Sequence, residues 1–281
     1  MGPGAFSISL GKWCLRMKVY ISADIEGVTG TTHWDETEKL KPDYNEFREQ
    51  MTAEASAACE GALQAGSTEI WVKDAHASAR NLIAAGLPRE TRLIRGWSGH
   101  PFSMVQELDE SFDALVMIGY HSRAGSAANP LAHTFSGNIA GLKINGRYAS
   151  ELQMYAYAAA LVDVPLVFVS GDKGICEEAK SLIPNIATLA VKQGTGNATV
   201  NIHPHLAVEK IREGVQIALQ GDVSNCRLPM PEHFSVDISY KDHAMASKAS
   251  FFPGAVSTQP HTIRFESNDY FEVLRLFAFV L

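Results

Sequence analysis

The sequence predicts an α/β fold: a mostly parallel sheet covered by helices on both faces, with a smaller C-terminal α+β domain. Three observations lead there. Short apolar runs alternate with helix-period segments from Met17 to about residue 195. Those runs are continuously apolar, as in strands buried on both faces. Beyond residue 195 the pattern changes to alternating strands set between turn-rich stretches. The expected division is a leader or extension at 1–16, an α/β domain at 17–195 and an α+β domain at 196–281.

The first strand, VYIS (19–22), ends at Asp24. A long helix is expected over residues 43–65, with Tyr44, Phe47, Met51, Ala55 and Ala62 on one stripe and Gly66 to stop it. The runs EIWVKD (69–74), TRLIRG (91–96) and ALVMIGYH (114–121) read as three further strands. A helix over 148–163 leads through Pro165 into the strand PLVFVSGD (165–172). Next come a helix at 204–220, a turn-rich stretch with Pro229 and Pro231, the strands FSVDISY and HTIRFES, and a last helix near 269–279.

With 281 residues, 46% of them hydrophobic and 20% charged, the chain has the balance of a soluble protein of one large or two modest domains. A net charge of −7 with no basic cluster argues against a nucleic-acid partner. No apolar run is long enough to span a bilayer, and GPGAFSISLGKWCLR makes a poor secretion signal. Cys14, Cys59, Cys176 and Cys226 are widely spaced without a CxxC pair, as expected of reduced thiols in the cytoplasm.

Open parallel sheets bind ligands at the carboxyl ends of their strands. The first strand delivers Asp24 and Glu26 there, the second Asp74 and His76, the fourth His121. Asp24 and Glu26 share a strand face and would repel each other unless water or a cation lay between them. Ser150 and Gln153 fit a capping box, which puts Glu151 in the first turn of a helix. Each of these residues alone is ordinary at its position: a solvated strand end, a packed histidine, an acid on a helix dipole. Together Asp24, Glu26, His76, His121 and Glu151 suit zinc. Their three carboxylates nearly balance two divalent ions, and Asp24, the shorter acid at the strand end, is the better bridge. His133 lies twelve residues beyond His121 in a small-residue-rich loop; it is either a solvent-facing loop residue or a base, acid or nucleophile beside the metal. SGDKG (170–174) reads as a strand-to-helix turn, and GTGNAT (194–199) as a domain junction.

The motifs SADIEG (22–27), KDAH (73–76), HPFSMVQELDESFDA (100–114), GYHSRAG (119–125), LAHTFSG (131–137) and ING…SEL (144–152) resemble the D-aminopeptidase family of zinc peptidases. The resemblance runs from Met17 to about Lys192; the C-terminal part is similar in outline only. It implies two zinc ions per chain on Asp24, Glu26, His76, His121 and Glu151, with Asp24 shared, and His133 as the catalytic residue. It further implies a short peptide or amino-acid amide as substrate, with a D-residue of the D-alanine type at the amino end, and a ring-forming homo-oligomer. One departure is Asn197, near which many relatives carry an arginine. The competing readings are a dinuclear hydrolase of another amide or a phosphoester, and a non-catalytic binding module with a structural cation. Lys73 and Arg123 are the nearest basic residues to the expected ligands, which is little for a phosphate.

Overall fold

The computed structural model describes residues 17–281. The expected leader at 1–16, with Cys14, lies outside the described residues. Two sheets organise the chain. The larger has seven strands: β1 (Met17–Ala23), β2 (Ser67–Asp74), β3 (Thr91–Ile94), β4 (Ala114–Tyr120), β7 (Leu166–Asp172), β8 (Ala187–Thr195) and β9 (Ala198–Asn201). Their order is β3-β2-β1-β4-β7-β8-β9, parallel except for β9. All seven residues of β4 and of β7 are buried, which is why those runs carry no polar alternation.

Helix α1 (Tyr44–Gln64) packs beside α4 (Pro204–Gln220) on one face. Helices α2 (Glu151–Leu161) and α3 (Lys173–Leu182) pack together on the other, as right-handed crossovers in opposite directions from the β1/β4 pair require. Tyr44, Met51, Ala55 and Ala62 of the predicted α1 stripe are buried, and Gly66 follows the helix at φ +97°, the left-handed stop that glycine permits.

The smaller sheet has the order β11-β12-β10-β5-β6 and is antiparallel. It takes β10 (Phe234–Tyr240), β11 (Val256–Gln259) and β12 (Thr262–Ser267) from the C-terminal part, but β5 (Ile139–Ile144) and β6 (Arg147–Tyr148) from the segment between β4 and α2. The two sheets therefore do not separate at residue 195. Helix α4 and β9, both beyond that point, belong with the larger sheet. GTGNAT is the tip of the β8–β9 hairpin, not a domain junction. The short helix α5 (His243–Ala249) and the last helix α6 (Tyr270–Val280) both pack on the smaller sheet, and α6 also touches α2. Among the described residues no helix is long and apolar enough to cross a membrane.

The strand order reverses direction between β1 and β4, and there the two strand ends come very close. Asp24 donates its N–H to Ile118 O at 2.8 Å, and Gly27 donates to Gly119 O at 2.8 Å. A Cβ on Gly27 would lie 1.8 Å from Tyr120 O, and one on Gly119, already at φ +69°, would lie 2.3 Å from Asp24 O. Only glycine lets the ends of β1 and β4 meet this closely. Gly27→Ala is therefore expected to cost about 2–3 kcal/mol and to lower Tm by roughly 4–12 °C. Gly221→Ala, whose Cβ would sit 3.5 Å from its nearest heavy atom, should stay within about 0.5 kcal/mol in the same melts. Equal effects at the two positions would contradict the close approach.

Candidate metal centre

All five expected ligands converge at the carboxyl end of the larger sheet, around the β1/β4 switch point, and all are buried. Asp24 and Glu26 follow β1, His76 follows β2, His121 follows β4, and Glu151 opens α2. Ser150 caps α2, its hydroxyl accepting from Gln153 N at 3.3 Å. The other half of the expected capping box is absent: Ser150 N donates instead to Glu178 Oε1, at 3.1 Å. Asp74, the remaining strand-end acid, faces away and accepts bonds from Asn81 N, Leu82 N and Asn81 Nδ2, so it pins the loop that carries His76.

Three imidazoles share one arrangement. His76 Nε2–H donates to Thr37 O at 3.0 Å, His121 Nδ1–H to Ser122 O at 3.0 Å, and His133 Nδ1–H to Leu131 O at 2.9 Å. Because carbonyls only accept, these bonds fix the proton on the outer nitrogen, as in metal-ligating histidines. The inner nitrogens then present lone pairs to carboxylate oxygens. His76 Nδ1 lies 3.3 Å from Asp24 Oδ1 and 3.1 Å from Glu26 Oε2. His121 Nε2 lies 3.5 Å from Asp24 Oδ2 and 3.6 Å from Glu151 Oε2. Glu26 Oε2 and His121 Nε2 are fully buried with no hydrogen-bond partner.

Acceptor facing acceptor in a buried site needs a proton or a cation between them. The electrostatics say the same. Burial, then the Glu26 charge, pushes the Asp24 carboxyl up to about 8. Burial opposes the charged form of His121, but Glu151, Glu26 and Asp24 outweigh it and lift the imidazole to about 10. The oxygen, nitrogen and carboxylate set suits zinc, and Asp24 turns one oxygen to each side. One atom from each of Asp24, Glu26 and His76 lies within 4.8 Å of the others, and the same holds for His121, His133 and Glu151.

His133 is brought to the site by the loop after β4. Its ring stacks on His121 with centroids 4.3 Å apart and planes 8° apart, and Nε2 stands 3.8 Å from Glu151 Oε1. Trp34 meets the His133 ring edge-on at 5.3 Å. Phe135, in the left-handed region at φ +63°, donates its N–H to Glu151 Oε1 at 2.5 Å.

Behind these side chains lies a polar scaffold with no sequence signature. Lys192, buried in β8, donates to Glu26 O at 2.6 Å and to Thr31 O; burial drops its amine to about 8. Asn129 donates to Glu26 O and to Asp172 Oδ2, both at 3.0 Å. Asp172 in turn accepts from Ser122 N at 2.7 Å, next to His121. SGDKG is thus the N-terminus of α3, with Asp172 as its cap and as a strut of the site.

The centre forms one wall of a cavity of about 630 Å³, completed by Trp34, Trp97, Met104, Phe135, Tyr155 and, from α6, Ala278. A second cavity of about 610 Å³ shares Glu26, Trp34, His76 and Ala77 with it. The aromatic wall was not anticipated from sequence, since neither tryptophan sits in a periodic segment. Asn197 is exposed at the hairpin tip and lines neither cavity.

The chain is similar to known proteins over nearly all of its described length. A family model described as D-aminopeptidase matches residues 17–279. A Bacillus subtilis (strain 168) protein named D-aminopeptidase is 34% identical over 258 residues, covering 91% of this chain and 93% of that one. A solved structure, the Zn-dependent D-aminopeptidase DppA from Bacillus subtilis, described as a self-compartmentalizing protease, superposes with a TM-score of 0.87 at 33% identity, covering 93% of this chain and 95% of that one. With the family model spanning all but a few of the described residues, the chain belongs to the D-aminopeptidase family.

Proposed function

We propose that this chain is a zinc-dependent aminopeptidase that hydrolyses the amino-terminal residue from short peptides or amides, with a D-residue of the D-alanine type at that end. Two zinc ions per chain would be held by Asp24, Glu26, His76, His121 and Glu151, with Asp24 common to both. The observation that carries this reading is the set of imidazole lone pairs turned onto carboxylate oxygens, with Asp24 offering one oxygen to His76 and the other to His121. The Zn-dependence and D-aminopeptidase activity named for the Bacillus relatives support the same metal and substrate class. Lys73 and Arg123 give no support to a phosphoester substrate. Lys73 is buried against Trp97 and bonded to Gly96 O, and Arg123 packs on Tyr148.

Zinc bound by these residues would supply Lewis-acid polarisation of the scissile carbonyl and a water acidified to a pKa of about 7. The protein supplies proton transfer and placement. With Nδ1–H held by Leu131 O, His133 keeps its Nε2 lone pair for the cavity. There it takes a proton from the attacking water and returns it to the departing amine nitrogen. Glu151 Oε1 stands 3.8 Å from His133 Nε2. Stacking on His121 and the Trp34 edge keep the ring from turning. A second reading makes His133 a ligand, since its ligand atom clusters with those of His121 and Glu151.

We further propose a ring-forming homo-oligomer in the cytoplasm. The self-compartmentalizing description of the related structure supports the assembly. So does the apolar surface around α6, where Phe279 is 76% exposed and Phe251 85% exposed. Among the described residues the buried thiols of Cys59, Cys176 and Cys226 form no disulfide, as suits a reducing compartment.

Two outcomes are expected. His133→Ala should retain both zinc ions by metal analysis while kcat on a D-alanyl amide falls about 10²–10⁴-fold, with the paired L-alanyl amide cleaved poorly by both proteins. Loss of zinc would make His133 a ligand, and kcat within a few-fold of wild type would remove it from the mechanism. Light scattering at micromolar concentration should give a mass well above that of a dimer. A monomer would contradict the ring.

A further inference from the structure

The second cavity carries charges that the zinc set leaves unused. Lys39, Arg80 and Glu38 line it, all three exposed. Nearby cations are engaged elsewhere: Lys41 pairs with Asp35 at 3.0 Å, and Arg48 donates to Asn81 O at 2.9 Å. Lys39 and Arg80 have no such partner among the described residues. The main cavity is the opposite case. No Lys or Arg lines it, and its walls away from the metal centre are largely aromatic and apolar. Both cavities reach Glu26 and His76, and Trp34 belongs to both walls, so the tryptophan divides one cleft into two lobes at the metal centre.

A peptide cut at that centre spans the divide with unlike ends: an ammonium on the released residue and a carboxylate on the leaving fragment. The lobe without lysine or arginine repels no ammonium, and its indoles offer π faces to it. The lobe with two unpaired cations against one acid besides Glu26 of the metal set attracts a carboxylate, and a guanidinium can grip it with two parallel bonds. We propose that the second cavity is the subsite for the leaving fragment, where Arg80, aided by Lys39, binds the terminal carboxylate of a short peptide. This rests on the aminopeptidase reading above. It makes the enzyme select short peptides with a free carboxyl terminus over their amidated forms, because only a short leaving fragment brings its terminus to Arg80.

The test compares D-alanylglycine with D-alanylglycinamide on the zinc-loaded protein. Wild type is expected to favour the free acid in kcat/KM by about tenfold, mainly through KM. That preference should shrink in about 1 M salt. In Arg80→Ala the acid-to-amide ratio should fall towards one, and in Arg80→Glu the amide should become the better substrate. Zinc content and far-UV circular dichroism equal to wild type would show both variants folded and loaded. Hydrolysis of both substrates at equal rates by wild type, or a wild-type ratio in Arg80→Ala, would overturn the subsite and leave the aminopeptidase reading intact. No hydrolysis of either substrate by zinc-loaded wild type would overturn both.

Discussion

The arrangement rests on a conflict between like-minded atoms. Imidazole and carboxylate lone pairs face each other across 3.1–3.6 Å in a site that water barely reaches. Left alone, the groups would separate or take up protons, which is why Asp24 and His121 are pushed so far from their ordinary values. The fold holds them in place from behind. Thr37 O and Ser122 O fix the outer nitrogens of His76 and His121, while Lys192 and Asn129 grip the carbonyl of Glu26. A scaffold that resists repulsion this firmly is what a preformed cation site requires.

The sheet explains why the site lies where it does. Parallel strands end side by side, so β1, β2 and β4 present their following residues to one edge. Gly27 and Gly119 let two of those ends touch, which brings Asp24 within reach of His121. The crossover from β4 to β7 then does double work. Its strands β5 and β6 join the smaller sheet, and its helix α2 points Glu151 back at the centre. Helix α6, packed on the smaller sheet and on α2, reaches the cavity at Ala278, so the C-terminal part helps enclose it.

Much of this was legible in the sequence because it depends on local order. Continuous apolar runs announced β4 and β7, and an acid or histidine just past a strand has only one edge of the sheet to occupy. Glu151 was legible through the serine before it, although Glu178, distant in sequence, completes the cap instead of Gln153. What stayed hidden depends on long-range pairing. The stacking of His133 on His121 is made by an irregular loop with no periodicity to read. The boundary at residue 195 followed a change of texture, yet β5 pairs with β10 across it, because register between distant strands leaves no local mark. Lys192 and Asn129 are of types mostly found at the surface, and only their burial reveals what they hold.

We propose above that Asp24 would stand between two zinc ions. Crystals of the zinc-loaded protein, measured on both sides of the zinc absorption edge, test it most directly. The account predicts two anomalous peaks per chain, both in contact with Asp24, one also touching Glu26 and His76 and the other His121 and Glu151. A single peak, or a pair with Asp24 bound to only one of them, would contradict it.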